Sequence, residues 1–368
     1  MYINKLALTN FRNIENAGLS FNKHFNIIYG NNGNGKTNLL ESIHYISNLK
    51  PLKDNYSNHL IMFNKPSAQI ETIIQMEQEE NHLKIILSND GKKIFLNQNQ
   101  EKQIQDYLFD FKSVVFTPDD LVILKGEPEK RRKHFDKAIF HTQSGYFKIL
   151  KDYEQILKNR TALIKDMVEK GIASSEQKKL FEVYNYQFSK SSYQVYQQRE
   201  KYLIDYIPYF INTVKKLSDN KINASLNYYS NFDYSSEKTF LADLEKNFKE
   251  EINKKRTLCG PHLDDYIFLI NDKNLRTYGS QGEIRSFLLA LKTAHILYLY
   301  QLSNNYPVLL LDDMSSELDN NRKKFLFDFL SSIHGQVFIT TTHKEHIILN
   351  DDVSRNYFNI NEGITVKE

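Results

Sequence analysis

The stretch Gly30-Asn31-Asn32-Gly33-Asn34-Gly35-Lys36-Thr37 constrains this chain more than any other. It follows an apolar, strand-like run at 25–29 (FNIIY) and opens a helical stretch from residue 36 to about 48. Strand, glycine-rich loop, Lys-Thr and helix in that order form the Walker A pattern. The residue types explain the pattern. Glycines let backbone N–H groups turn inward toward phosphate oxygens, and the helix adds its positive N-terminal end. Lys36 is placed to reach the β- and γ-phosphates, and the Thr37 hydroxyl is a ligand for Mg²⁺. The expectation is an α/β fold that binds ATP with Mg²⁺, its cradle made by residues 30–37.

A second constraint lies far along the chain. The apolar run 308–311 ends in Asp312 and Asp313. A buried strand ending in carboxylates is a Walker B arrangement. Asp312 is expected to hold Mg²⁺, and Asp313 to polarise the attacking water; Lys36 completes the catalytic set. Gly279-Ser280-Gln281-Gly282-Glu283 leads into an amphipathic helix over 282–303, and Thr342-His343 follows a buried strand over 336–341. Ser280-Gln281-Gly282 is by itself also a good helix cap.

In order along the chain, these segments resemble the ABC-type ATPases. Gly279–Gly282 takes the place of the signature motif, Ser316-Glu317-Leu318-Asp319 that of the D-loop, and His343 that of the switch histidine. In such proteins the signature serine and glycine, here Ser280 and Gly282, grip the γ-phosphate of ATP held by a second subunit. Lys36 and Ser280 stand 244 residues apart, an interval too long for a transporter ATPase and suited to a head with a short arm, as in SMC-like ATPases.

Within that class the chain resembles the RecF family over nearly its whole length. The carrying segments are Leu8-Thr9-Asn10-Phe11-Arg12-Asn13, Val115-Phe116-Thr117-Pro118-Asp119-Asp120-Leu121 with Lys125-Gly126 and Arg131-Arg132, and Gly260-Pro261-His262 with Asp264-Asp265. Leu263 stands where the family usually has a basic residue, and the Q-loop glutamine has only Gln69 as a candidate by position. The resemblance implies an ATP-dependent DNA-binding protein of recombinational repair that closes as a homodimer on ATP. It implies action at gaps and single-/double-stranded junctions, RecO and RecR as partners in loading RecA, and a slow, DNA-stimulated ATPase. Asp313 is one methylene shorter than the glutamate many ABC ATPases carry, which fits slow turnover.

Composition narrows the setting. The 48 Lys and Arg nearly balance 45 Asp and Glu, so net charge alone does not predict nucleic-acid binding. Local basic clusters at 130–133, 254–256 and 322–324 read equally as solvated helix faces or as phosphate contacts, with Lys130, Arg131 and Arg132 the first choice for the latter. The single cysteine, Cys259, excludes an intrachain disulfide. A mean hydropathy of −0.54 and no run of about 20 apolar residues speak against a membrane span. Residues 1–11 carry no apolar signal segment, which points to the cytoplasm.

Three- and four-residue spacing of Tyr146, Ile149, Tyr153, Ile156, Leu163 and Met167, and of Phe181, Tyr184, Phe188, Val195, Leu203, Tyr206 and Phe210, predicts two long amphipathic helices around a turn at 171–175. Their aromatics read as core. The fold class expected is an α/β ABC-type head split in sequence: 1–126 with Walker A, 127–253 a helical arm, and 254–368 with the remaining motifs. The alternative is another ABC-type ATPase, transporter-like or SMC-like and structural, without a RecA-loading role. A nuclease of the overcoming-lysogenisation type would need a further acidic domain after the head.

Overall fold

The computed structural model describes the chain except residues 53–55, 77–78, 102–110, 144, 170–174, 314–317, 348, 351–352, 362–363 and 368. It divides into two compact units, one of residues 1–120 and 291–368, the other of 121–290.

The first unit holds two six-stranded sheets. One contains β1 (Tyr2–Phe11), β2 (Ile14–Ser20), β4 (Ser67–Met76), β5 (Glu79–Ser88), β6 (Gly91–Leu96) and β7 (Asn99–Gln100), in the order β2-β1-β4-β5-β6-β7 and antiparallel throughout. Burial alternates along β4 and β5, as expected of a sheet with one face on the core. The other contains β3 (Phe25–Tyr29), β8 (Ser113–Phe116), β12 (Val308–Asp312), β13 (Val337–Thr341), β14 (Arg355–Asn361) and β15 (Ile364–Lys367), in the order β15-β14-β3-β13-β12-β8. All its pairings are parallel except β14–β15. β12 and β13 are buried at every residue, which explains their apolar runs at 308–311 and 337–339; the buried polar residues Asp312, Thr340 and Thr341 follow at their ends.

Helix α1 (Lys36–Asn48) shares one core with both sheets. Leu39, Ile43 and Ile46 pack with Phe11, Ile70 and Ile85 of the antiparallel sheet and with Leu310, Phe338 and Phe358 of the parallel one. A buried glutamine ties the sheets together: the Gln336 side chain accepts from the Ile3 N–H at 2.7 Å and donates to the Ile3 and Asn22 carbonyls. β13 lies between β3 and β12. The segments that follow these three strands therefore leave one edge of the sheet together, the usual ligand-binding edge of a parallel sheet.

The second unit is mainly helical: α2 (Leu121–Lys125), α3 (Pro128–Thr142), α4 (Tyr146–Glu169), α5 (Ser175–Leu217), α6 (Glu237–Lys254), α7 (Leu275–Tyr278) and the start of α8 (Gln281–Ser303). The expected helix pair is present as α4 and α5; the turn at 171–175 lies, but for Ser175, outside the described residues. Tyr153, Phe188, Phe240 and Leu244 form its core, so the aromatic stripes face inward. Arg160 and Glu251 are fully buried as a pair, and the guanidinium also lies over Phe181 and Phe188 at 5.0 and 5.3 Å.

The division falls at 120/121 and 290/291 rather than at 126/127 and 253/254. The reason is non-local pairing. β9 (Ala224–Tyr229) pairs along its length with β10 (Asp265–Ile270), which in turn pairs with β11 (Lys273–Asn274). Phe135 of α3 also stacks on Tyr266 at 4.0 Å. Residues 254–290 thereby belong with the helical unit.

Candidate nucleotide-binding site

The loop 30–35 joins β3 to α1 in a conformation that its glycines make possible. Gly30, Gly33 and Gly35 all have positive φ, and Gly35 is the N-cap of α1. At Gly30 a Cβ would lie 2.3 Å from the Ile360 carbonyl oxygen, so no other residue fits between loop and β14. Asn34 anchors the loop to the same strand: its Nδ2 donates to the Ile360 carbonyl at 3.1 Å and to Asn361 Oδ1 at 3.3 Å. Asn31 and Asn32 complete the turn.

The Lys36 ammonium sits inside the loop. It donates to the carbonyls of Gly30 at 2.7 Å and Asn31 at 2.9 Å, with Asn32 Oδ1 at 3.5 Å. Burial holds its pKa below the usual lysine range, and the charges of Asp313 and Asp312 work against that lowering.

Thr37 and Asp312 meet directly. Thr37 Oγ1 donates to Asp312 Oδ1 at 2.8 Å across 275 residues of sequence. A second hydroxyl, Thr340 Oγ1 of β13, donates to the same oxygen at 2.9 Å and accepts the Asp313 N–H at 3.0 Å. Asp313 takes a left-handed backbone, φ 48°, which turns the chain away just past the strand. Thr340 thus positions both carboxylate residues, and the sequence reading missed it. The only signal was the unbroken Thr340-Thr341-Thr342 run. Hydroxyl plus buried carboxylate is a hard oxygen set, the chemistry that suits Mg²⁺.

His343 is exposed just beyond β13, and its N–H donates to Thr341 Oγ1 at 3.4 Å. Asn13 is another residue whose role was not legible. Its Nδ2 donates to the Asn34 carbonyl, its Oδ1 accepts from Asn38 Nδ2 at 2.8 Å, and its amide crowds Gly35. The neighbouring Arg12 pairs with Glu41 of α1 at 2.9 Å. The β1–β2 turn therefore braces both the loop and the helix it opens.

Ser280 and Gly282 belong to the second unit, at the entrance to α8. Ser280 is exposed, and Gly282 lies in the first turn of the helix. Ser316 and Glu317 of the D-loop segment lie outside the described residues; Asp319 caps α9 (Asn320–Ser332) through the Arg322 N–H. Gln69 lies within β4, its amide donating to Glu71 at 2.6 Å.

Within the basic cluster at 130–133, burial takes Arg131 out of the expected phosphate contact. Arg131 is 4% exposed and forms a bidentate pair with Asp265 at 2.7 and 2.8 Å. Arg132 donates to the Asp264 carbonyl, and Lys133 pairs with Glu129. The arginines hold the fold of the helical unit, whereas Lys130 and Lys133 lie exposed at the surface. The segment 260–265 is the other half of this scaffold. The Pro261 carbonyl accepts from Arg199, Tyr153 Oη is 2.7 Å from His262 Nδ1, and Tyr228 donates to Asp264.

With this geometry in view, the likeness to known proteins is specific. Residues 2–365 match the family described as RecF/RecN/SMC N terminal domain. The DNA replication and repair protein RecF of Geotalea daltonii is 35% identical, with 99% of each chain covered. A solved RecF-ATPrS structure, described as a recombination mediator protein in the RecFOR pathway, superposes with a TM-score of 0.90 at 29% identity; the match covers all of this chain and 98% of that one. The Smc head domain of Pyrococcus furiosus shares the fold, with a TM-score of 0.56 at 16% identity over all of this chain and 96% of that one. The sheets and loop of the first unit are thus an ABC-type head, and the chain belongs to the RecF family of the RecF/RecN/SMC class.

Proposed function

We propose that this protein is an ATP-dependent DNA-binding protein of recombinational repair and replication restart. It binds ATP with Mg²⁺ through residues 30–37 and Asp312, and closes as a homodimer in which Ser280 and Gly282 of each copy complete the site of the other. The closed dimer binds DNA at single-/double-stranded gaps and acts with RecO and RecR to load RecA. A slow ATPase, stimulated by DNA, reopens it. It works in the cytoplasm; among the described residues no helix is long and apolar enough to cross a membrane.

The observation that carries the nucleotide reading is the 2.8 Å bond between Thr37 and Asp312, with the Lys36 ammonium held in the same loop. Lys36 exchanges its carbonyl partners for phosphate oxygens, which as anions are the stronger acceptors. The inward N–H groups of the loop and the start of α1 fix the phosphate chain. Mg²⁺ on Thr37 and Asp312 would neutralise charge on the β- and γ-phosphates. Asp313 orients the attacking water and draws on its proton, and His343, exposed at the same edge, steadies the γ-phosphate. Because Ser280 comes from a second copy, turnover requires two chains, so hydrolysis times the release of DNA. The full-length likeness to RecF relatives supports the repair role.

Lys36→Met tests the base of this reading. Direct titration with a fluorescent ATP analogue should show loss of binding, with the fold retained. Unchanged affinity would remove the site from residues 30–37.

A further inference from the structure

The entrance to α8 carries an unusual distribution of donors for a motif meant to receive phosphate. The Ser280 backbone N–H donates to Glu283 Oε2 at 2.8 Å, and the Ser280 hydroxyl donates to the same oxygen at 2.7 Å. The Glu283 N–H returns a bond to Ser280 Oγ at 3.3 Å. This is a reciprocal capping box. It also means that both donors Ser280 can offer an anion converge on one carboxylate oxygen of its own chain.

A terminal phosphate oxygen is the same kind of acceptor, negatively charged and drawn to the same helix N-terminus. The two cannot be served together, because they need the same donors and repel each other. The surrounding backbone is fixed. Gly279 packs so closely that a Cβ there would meet the Leu275 carbonyl oxygen at 2.6 Å. Ser280 is exposed, and its bonds to Glu283 lie at the surface, so the carboxylate can leave into water by side-chain rotation alone.

We infer that Glu283 is an internal stand-in for the γ-phosphate: it occupies the signature donors in the free protomer and must swing out before ATP on a second copy can dock, so it sets the threshold for ATP-dependent dimerisation. The inference rests on the signature role of Ser280 given above. It turns a helix cap and a phosphate site, readings that compete in the sequence, into two states of one set of donors.

The test is the dimer Kd of the full chain by sedimentation velocity, with Mg²⁺ and a slowly hydrolysed ATP analogue. Glu283→Gln keeps a capping box, since glutamine accepts in the same way, but removes the charge. It should tighten the dimer about 10-fold at low salt, an advantage that shrinks as salt is raised. Monomer affinity for nucleotide and the melting temperature should not move. Glu283→Ala, which frees Ser280 at the expense of the cap, should also tighten the dimer. Dimer Kd values at or above wild type for both variants would overturn the inference and leave Glu283 a helix cap. Ser280→Arg in the same assay keeps the two readings apart. Loss of the dimer there, with no gain in the Glu283 variants, would sink this inference alone; normal dimerisation of Ser280→Arg would sink the signature role itself.

Discussion

Thr340→Val removes one hydroxyl and leaves the shape of the side chain. Thr340 is fully buried, and valine is nearly isosteric, so no cavity opens. Two short interactions are lost, together with a 3.5 Å contact to the Leu311 carbonyl. One is the bond to the Asp312 carboxylate at 2.9 Å, and the other is acceptance of the Asp313 N–H at 3.0 Å. A bond to a charged group contributes about 1.5–3 kcal/mol and a neutral one about 1 kcal/mol. Asp312 keeps Thr37, so part of the first loss is covered. The net cost to stability should be about 2 kcal/mol. The functional effect should be sharper at Asp313, whose left-handed backbone loses the bond that fixes it. A misplacement worth about 1.5–3 kcal/mol in the transition state lowers single-turnover ATP hydrolysis about 10- to 100-fold. ATP affinity should stay within about 3-fold, because Lys36 and the loop are untouched. Thr340→Ser, which restores the hydroxyl, should recover most of the rate. A valine variant that hydrolyses ATP as fast as wild type, or a serine variant as slow as valine, would refute the positioning role.

Three further outcomes are expected. Asp313→Asn should bind ATP but stop turning it over and accumulate as an ATP-bound dimer, because the amide cannot accept the water's proton; a wild-type rate would take the catalytic role from Asp313. Arg131→Met should destabilise the helical unit by about 2 kcal/mol in urea unfolding, because the half-buried Asp265 loses its ion-pair partner. It should not change the salt slope of DNA binding; a flatter slope would restore Arg131 as a phosphate contact. His262 has a folded pKa depressed to about 4, chiefly by burial, with a hydrogen bond to Thr257 opposing and the charge of Arg132 adding to the depression. Native His262 therefore stays neutral while the unfolded chain takes up a proton. Its contribution is fully present above about pH 6.5 and lost as pH falls toward 4, about 3 kcal/mol in all. Urea midpoints for wild type and His262→Asn should converge over that window, and parallel curves would show that His262 does not carry the effect.

The parts of this protein legible in sequence are those whose chemistry is local. The loop 30–37 needs its glycines, lysine and threonine in fixed order beside a strand and a helix, and β12 and β13 announce themselves by short apolar runs at 308–311 and 337–339. The helix pair α4 and α5 showed in its three- and four-residue aromatic spacing. What escaped depends on pairing across the chain. β2, β6 and β14 are short and partly polar, and their neighbours in the sheet are set by contacts far away in sequence. The same cause moved the unit boundary to 290/291, since β9 claims β10 as its partner. Lys130-Arg131-Arg132-Lys133 read as a basic face because nothing in a linear stretch reveals Asp265, 134 residues on from Arg131. Thr340 was hidden for the opposite reason: a threonine in a buried strand is ordinary, and only the two carboxylate residues that converge on it give it a role.

The central claim is that each ATP is enclosed by two chains, and a mixing experiment tests it most directly. Ser280→Arg keeps its own Lys36 and Thr37 but cannot cap a partner's γ-phosphate, whereas Lys36→Met keeps its signature but holds no ATP. Each alone should stay monomeric with ATP and Mg²⁺. Mixed, they form composite dimers in which one site is intact and the other carries both lesions. Sedimentation velocity should then show ATP-dependent heterodimers, with ATP turnover approaching about half of the normal sites if each fires alone. Normal homodimerisation of Ser280→Arg with ATP, or no heterodimer on mixing, would contradict the two-chain site.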